Sequence, residues 1–171
     1  MAIISIFFLS PIPQDQSYHQ FADQRTLLSI PNFWNVVSNV GFLFVGAIGF
    51  YKLHISNRLN IVSTIKYIYS VFFIGVFFVS FGSAYYHWQP NNHTLIWDRL
   101  PMTLAFMSLT SIVFAEFISL KWARVSLIPL LLIGLLSVCY WYWSEMHGSG
   151  DLRFYALVQF LPIVLLLIFL V

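Results

Sequence analysis

The chain has 171 residues, of which 60% are hydrophobic, 19% aromatic and only 8% charged. A soluble domain carries about 25% charged residues, so this chain cannot clothe a water-facing surface and is expected to be an all-α polytopic membrane protein. A formal charge of +2 is too small and too scattered to serve nucleic acid, and a single cysteine, Cys139, excludes an intrachain disulfide and a cysteine metal cluster.

The first apolar run, "AIISIFFLS", is followed by Pro11 and Pro13 and is too short to span a bilayer. It also lacks the basic flank and cleavage site of a signal peptide. We read it as an apolar tip. "QDQSYHQFADQRTLLSIP" is polar to amphipathic and belongs at the membrane surface, so residues 1–32 form an N-terminal tip and interfacial segment. A helical membrane domain over 33–171 follows. Its spans are expected at about 33–53, 64–87, 98–118, 123–143 and 152–171. Cys139 lies in the fourth and reads as a buried membrane residue. The last apolar run reaches Val171 without a polar flank, and the expectation is a chain cut short at its C-terminal end.

Loop charge orients the spans. Lys52, Arg58, Lys66, Lys121 and Arg124 flank connections on one side, against Arg25, Arg99 and Arg153 on the other. The five-residue side is expected to be cytoplasmic. The Asp23 segment, the His87–Asp98 loop and the Glu145–Asp151 loop then share the extracytoplasmic side.

Chemistry-bearing residues concentrate in "GSAYYHWQPNNHTLIWDRLPM", residues 82–102. Ser83 and His87 are four apart and share a helix face just before Pro90. Asp98 opens the third span. It reads either as that helix's N-cap or as a carboxylate turned into the bundle, where ionisable groups mark function. The short connection brings His87 and Asp98 near each other in either case. Imidazole is the commonest metal ligand, and a carboxylate can orient a metal-bound water. His93 is placed in the loop facing solvent, His54 on the opposite side, and His147 in a flexible loop. Asn35, Ser38 and Asn39 share one face of the first span and are expected to bond a neighbouring helix. Gln159 is expected to do the same in the fifth, and Asp151 to cap that helix.

These residues resemble the alkaline ceramidase family of seven-helix membrane hydrolases. The likeness rests on three motifs: Gly82-Ser83-x-x-x-His87, "DRLPM" from Asp98, and "NFWNVVSN" at 32–39, and it covers roughly residues 18–171. The resemblance implies hydrolysis of the acyl amide of ceramide or a related membrane lipid, drawn from the bilayer. By motif position it implies His87 as a zinc ligand, Asp98 as the residue that activates the zinc-bound water, and Ser83 as a holder of the reacting amide. The family completes its zinc site with a His-x-x-x-His pair on the last helix, and these 171 residues contain none. The family's calcium site needs several acidic residues before the first helix. In the matching stretch, from about residue 18, Asp23 is the one carboxylate and Asn32 stands where the family has Glu, so Asp23 is a weak calcium candidate. Arg99 replaces an acidic residue and is a substrate-binding candidate, placed to pair with Asp98 or a lipid phosphate. A non-catalytic lipid-binding or receptor-like protein of the same superfamily is the alternative.

Overall fold

The computed structural model describes residues 8–56 and 61–170. Most of the first apolar run, along with Arg58, lies outside the described residues. A 3-10 turn at Gln16–His19 precedes α1 (Phe33–Ser38) and α2 (Val40–His54). A second turn, Ser63–Ile65, leads into α3 (Lys66–Trp88), α4 (Asn92–Phe117), α5 (Leu120–Met146) and α6 (Arg153–Leu170). Five segments are long and apolar enough to cross a membrane: Phe33–His54, Ser63–Trp88, Asn92–Phe117, Leu120–Met146 and Arg153–Leu170. There is no strand among the described residues. The chain is an integral, multi-pass, all-α membrane protein.

Two boundaries differ from the sequence reading. The first span breaks at Asn39, whose side-chain amide donates to the Asn35 and Val36 carbonyls at 2.7 and 3.3 Å. Ser38 likewise bonds back to Asn35. This polar face therefore serves its own backbone, and Asn35 alone reaches away, to the Asp23 carbonyl. The third span begins at Asn92, not at Asp98. Asn91 is its N-cap, accepting the His93 and Thr94 amides at 2.9 and 3.0 Å, while Thr94 Oγ1 accepts the Asn91 amide at 3.3 Å. This capping box satisfies the free N–H groups of the first turn. Asp98 is left about two turns inside the helix.

Helix contact in a membrane depends on close packing rather than on exclusion of water. α3 meets α4 through two glycines seven residues apart, hence on one face. A Cβ at Gly75 would come within 2.7 Å of the Ala105 amide nitrogen, and one at Gly82 within 1.9 Å of the Trp97 carbonyl oxygen. Buried hydroxyls line the same interior. Ser108, Thr110, Ser137 and Ser144 each donate to a carbonyl one turn back in their own helix, so none is left unsatisfied. The outer faces carry Phe44, Ile128, Leu136 and Leu167, each more than half exposed, as lipid contact requires. Cys139 lies on the outer face of α5 and not in the bundle interior. The Gln159 side chain, within α6, makes no hydrogen bond among the described residues.

The N-terminal segment is strapped across one end of the bundle. Leu152 N–H donates to the Ile12 carbonyl at 2.8 Å, and Gln14 N–H to Glu145 Oε1 at 2.6 Å. His19 reaches Asn92 Oδ1 at 2.8 Å. The N-terminal segment, the α3–α4 connection and the α5–α6 connection thus lie at the same end. Asp151 anchors the strap. It accepts the Arg153 backbone N–H at 3.0 Å, as expected of a residue capping α6, and pairs with the Arg153 guanidinium at 2.7 Å. Arg153 also donates to the Leu9 carbonyl.

Gly82→Ala is expected to destabilise the protein by about 3 kcal/mol, because the new methyl strikes backbone that cannot yield. Gly41→Ala is the control, since a Cβ there meets nothing within 4 Å. Thermal unfolding in detergent reads the difference, and equal midpoints would rule out the close contact. A second outcome concerns acid. Hydrogen bonds from Arg153 hold the Asp151 carboxyl below its usual 3.8. The unfolded chain therefore takes up that proton first as pH falls. The pair's contribution is complete above the ordinary value and is lost as pH drops through the lowered one. Asp151→Asn should flatten this acid limb of a stability–pH curve.

Candidate active site

The site is built on the last two turns of α3 and the second turn of α4. Ser83 is buried, 6% exposed, and Asp98 is 8% exposed. The Ser83 hydroxyl lies beside the Asp98 carboxylate. Their meeting follows from Gly82, whose missing side chain lets α3 lie directly on the Trp97–Asp98 backbone. His87 lies one turn beyond Ser83 on the same face of α3. Its Nδ1 is buried and has no hydrogen-bond partner. Its ring packs 4.7 Å from Phe21 and 5.2 Å from Tyr86, and its backbone carbonyl accepts from Asn32 Nδ2 at 2.8 Å.

A neutral acceptor, a buried carboxylate and a hydroxyl at one end of a membrane bundle can bind a metal ion and manage the proton of a water. The unsatisfied nitrogen of His87 suits a metal ligand, because buried polar atoms otherwise find partners. Yet no group of three His, Cys, Asp or Glu that could hold a metal occurs among the described residues. The residues present therefore fit part of a zinc site. Calcium at Asp23 does not fit. Arg25 Nε and Nη2 grip its two carboxylate oxygens at 2.8 Å each, and hydrogen bonds from Arg25 hold the carboxyl down to about 2.

Arg99 is neither in a loop nor at the surface. It is 6% exposed. Its guanidinium carbon lies 3.9 Å from the Trp141 ring centre and 4.5 Å from that of Tyr155. Nη2 donates to Gln14 Oε1 at 2.6 Å, and Nη1 is buried without a partner. Neither Gln14 nor the two rings drew notice in the sequence. A buried arginine needs stacking and acceptors. The other histidines stand apart. His93 opens α4, exposed, with Nδ1 2.6 Å from the Tyr142 hydroxyl. His147 bonds the Trp143 carbonyl and His54 bonds Ser70. His19 contacts the Tyr86 hydroxyl at 2.9 Å and braces that ring beside His87.

Beside Gly82 and Trp97 an apolar groove of about 520 Å³ opens outward between α3, α4 and α5, with Phe81, Leu100, Leu104 and Leu132 among its lining. It lies at membrane depth and backs onto the peptide that carries Asp98.

The family model described as Ceramidase matches residues 25–170. The chain belongs to the ceramidase family. Comparison with curated proteins and with solved structures returned no match. Family membership, together with five spanning helices, makes the chain a ceramidase-like hydrolase of the membrane.

The Arg99 environment gives a direct test. Gln14→Ala withdraws the acceptor from a buried guanidinium and is expected to destabilise the fold by about 2 kcal/mol. An unchanged unfolding midpoint would show that the strap gives Arg99 nothing.

Proposed function

We propose that this ceramidase-family chain cleaves the amide bond of ceramide or a related membrane lipid with the help of zinc. The observation that carries the reading is the buried Ser83 and Asp98 at the α3–α4 contact, with an unpartnered His87 nitrogen one turn from Ser83. His87 would hold the metal, and no group of three such ligands occurs among the described residues. Zinc, when bound, polarises a carbonyl and acidifies a water. Asp98 would take a proton from water and return it to the leaving nitrogen. Ser83, beside that carboxylate, would offer its single hydroxyl proton to the substrate carbonyl. The groove beside Gly82 would take an acyl tail, so that a two-tailed amide enters sideways from the bilayer. Arg99, between its two rings, would face the polar head of the lipid through Nη1. The loop-charge bias favours the extracytoplasmic side for this end.

The absence of a third ligand among the described residues favours a second reading, a protein that binds such a lipid without cleaving it. Fatty-acid release from ceramide in mixed micelles, measured with zinc content, separates the two. Asp98→Asn should retain zinc and lose turnover by at least about 10²-fold. His87→Ala should lose both. Wild-type binding of ceramide without fatty-acid release would establish the second reading, and turnover unchanged in both variants would overturn the assigned roles.

A further inference from the structure

The last turn of a helix leaves its carbonyls without intrahelical partners, so the end of α3 would fray if nothing held it. What holds it is the segment before the first span. Asn32 sits in the left-handed region with φ 49°, which asparagine tolerates. From there its amide reaches the His87 carbonyl at 2.8 Å. Phe21 lays its ring 4.7 Å from His87 and 5.7 Å from Tyr86. The segment is closed on itself. Leu27 and Ile30 exchange backbone hydrogen bonds at 3.2 and 2.9 Å, with Leu28 and Ser29 both at positive φ between them, 52° and 62°. Phe33 N–H donates to the Arg25 carbonyl at 3.0 Å, and Asn35 Nδ2 to the Asp23 carbonyl at 2.8 Å.

We propose that residues 21–35 form a cation-independent clasp in which Asn32 and Phe21 are positioning residues for His87. The inference rests on the hydrolase reading and adds to it how the site is kept in order. Calcium requires six to eight oxygen ligands, usually with several carboxylates. This segment offers one carboxylate, neutralised by Arg25, and Asn32, turned to the His87 carbonyl through its Nδ2, brings no charge. The guanidinium thus does internally what a bound cation would do. Fixing the peptide of His87 and one face of its ring restricts the side chain to the orientation from which its free nitrogen acts. Groups that orient a metal-binding histidine are worth roughly 10- to 100-fold in metal affinity.

The test uses the whole protein in lipid nanodiscs. Amide hydrogen exchange over residues 21–35 is followed with EGTA and with excess calcium chloride. Asn32→Gly keeps the left-handed backbone and removes the donor. Phe21→Leu keeps an apolar contact and removes the ring. Exchange in the wild type should not respond to calcium. Asn32→Gly should speed exchange across the segment, weaken zinc about tenfold and lower kcat with KM unchanged, while Phe21→Leu weakens zinc less. Calcium-dependent slowing of exchange would overturn the proposal, and so would an Asn32→Gly protein with native exchange. A wild type that takes no zinc and releases no fatty acid would fail the hydrolase reading alone, because the exchange measurements still decide the clasp.

Discussion

The site depends on the absence of one side chain. At Gly82, α3 presses so closely on α4 that even a methyl group would meet the Trp97 carbonyl oxygen at 1.9 Å. That approach sets the distance between a serine on one helix and a carboxylate on the other. In water, such contact would be rewarded by burial of apolar surface. In lipid it is rewarded by dispersion and by the polar contacts that closeness permits. Ser83 and Asp98 exploit it at once, since a carboxylate buried at membrane depth is costly without a donor beside it.

The same economy explains the end of the bundle where the site lies. Asp98, Arg99 and Asp151 are all buried there, with Glu145 beside them, and each has partners brought by a different part of the chain. Arg99 draws on Gln14 and two aromatic faces, Asp151 on Arg153 and Tyr140, and Glu145 on the Gln14 amide. The N-terminal segment supplies several of these contacts. It is therefore part of the polar interior despite lying outside the spans.

Much of this was legible in the residues. Hydropathy located all five spans, and the Ser83–His87 spacing put both on one face. The start of α4 was not found, because Asp98 stands before an apolar run and looks like a cap, whereas the true cap, Asn91 with Thr94, sits among polar residues that resemble a loop. Moving the start six residues earlier turns Asp98 from a terminal charge into an interior one, and so settles the choice left open between capping and facing inward. The setting of Arg99 was beyond the sequence, since Gln14, Trp141 and Tyr155 are remote in the chain and meet only after folding. Local back-bonding by Ser38 and Asn39 was also missed, since a polar face predicts a need for partners without saying whose backbone supplies them.

The three-residue link between α3 and α4 has a consequence for assembly. Ser83, His87 and Asp98 all belong to one helical hairpin, so little chain entropy is lost in bringing them together. Such a hairpin is a natural unit for entering a bilayer, and its contacts are local, which favours fast pairing. The proton-handling pair would then be formed before the remaining helices dock, and those helices would gather around chemistry already in place.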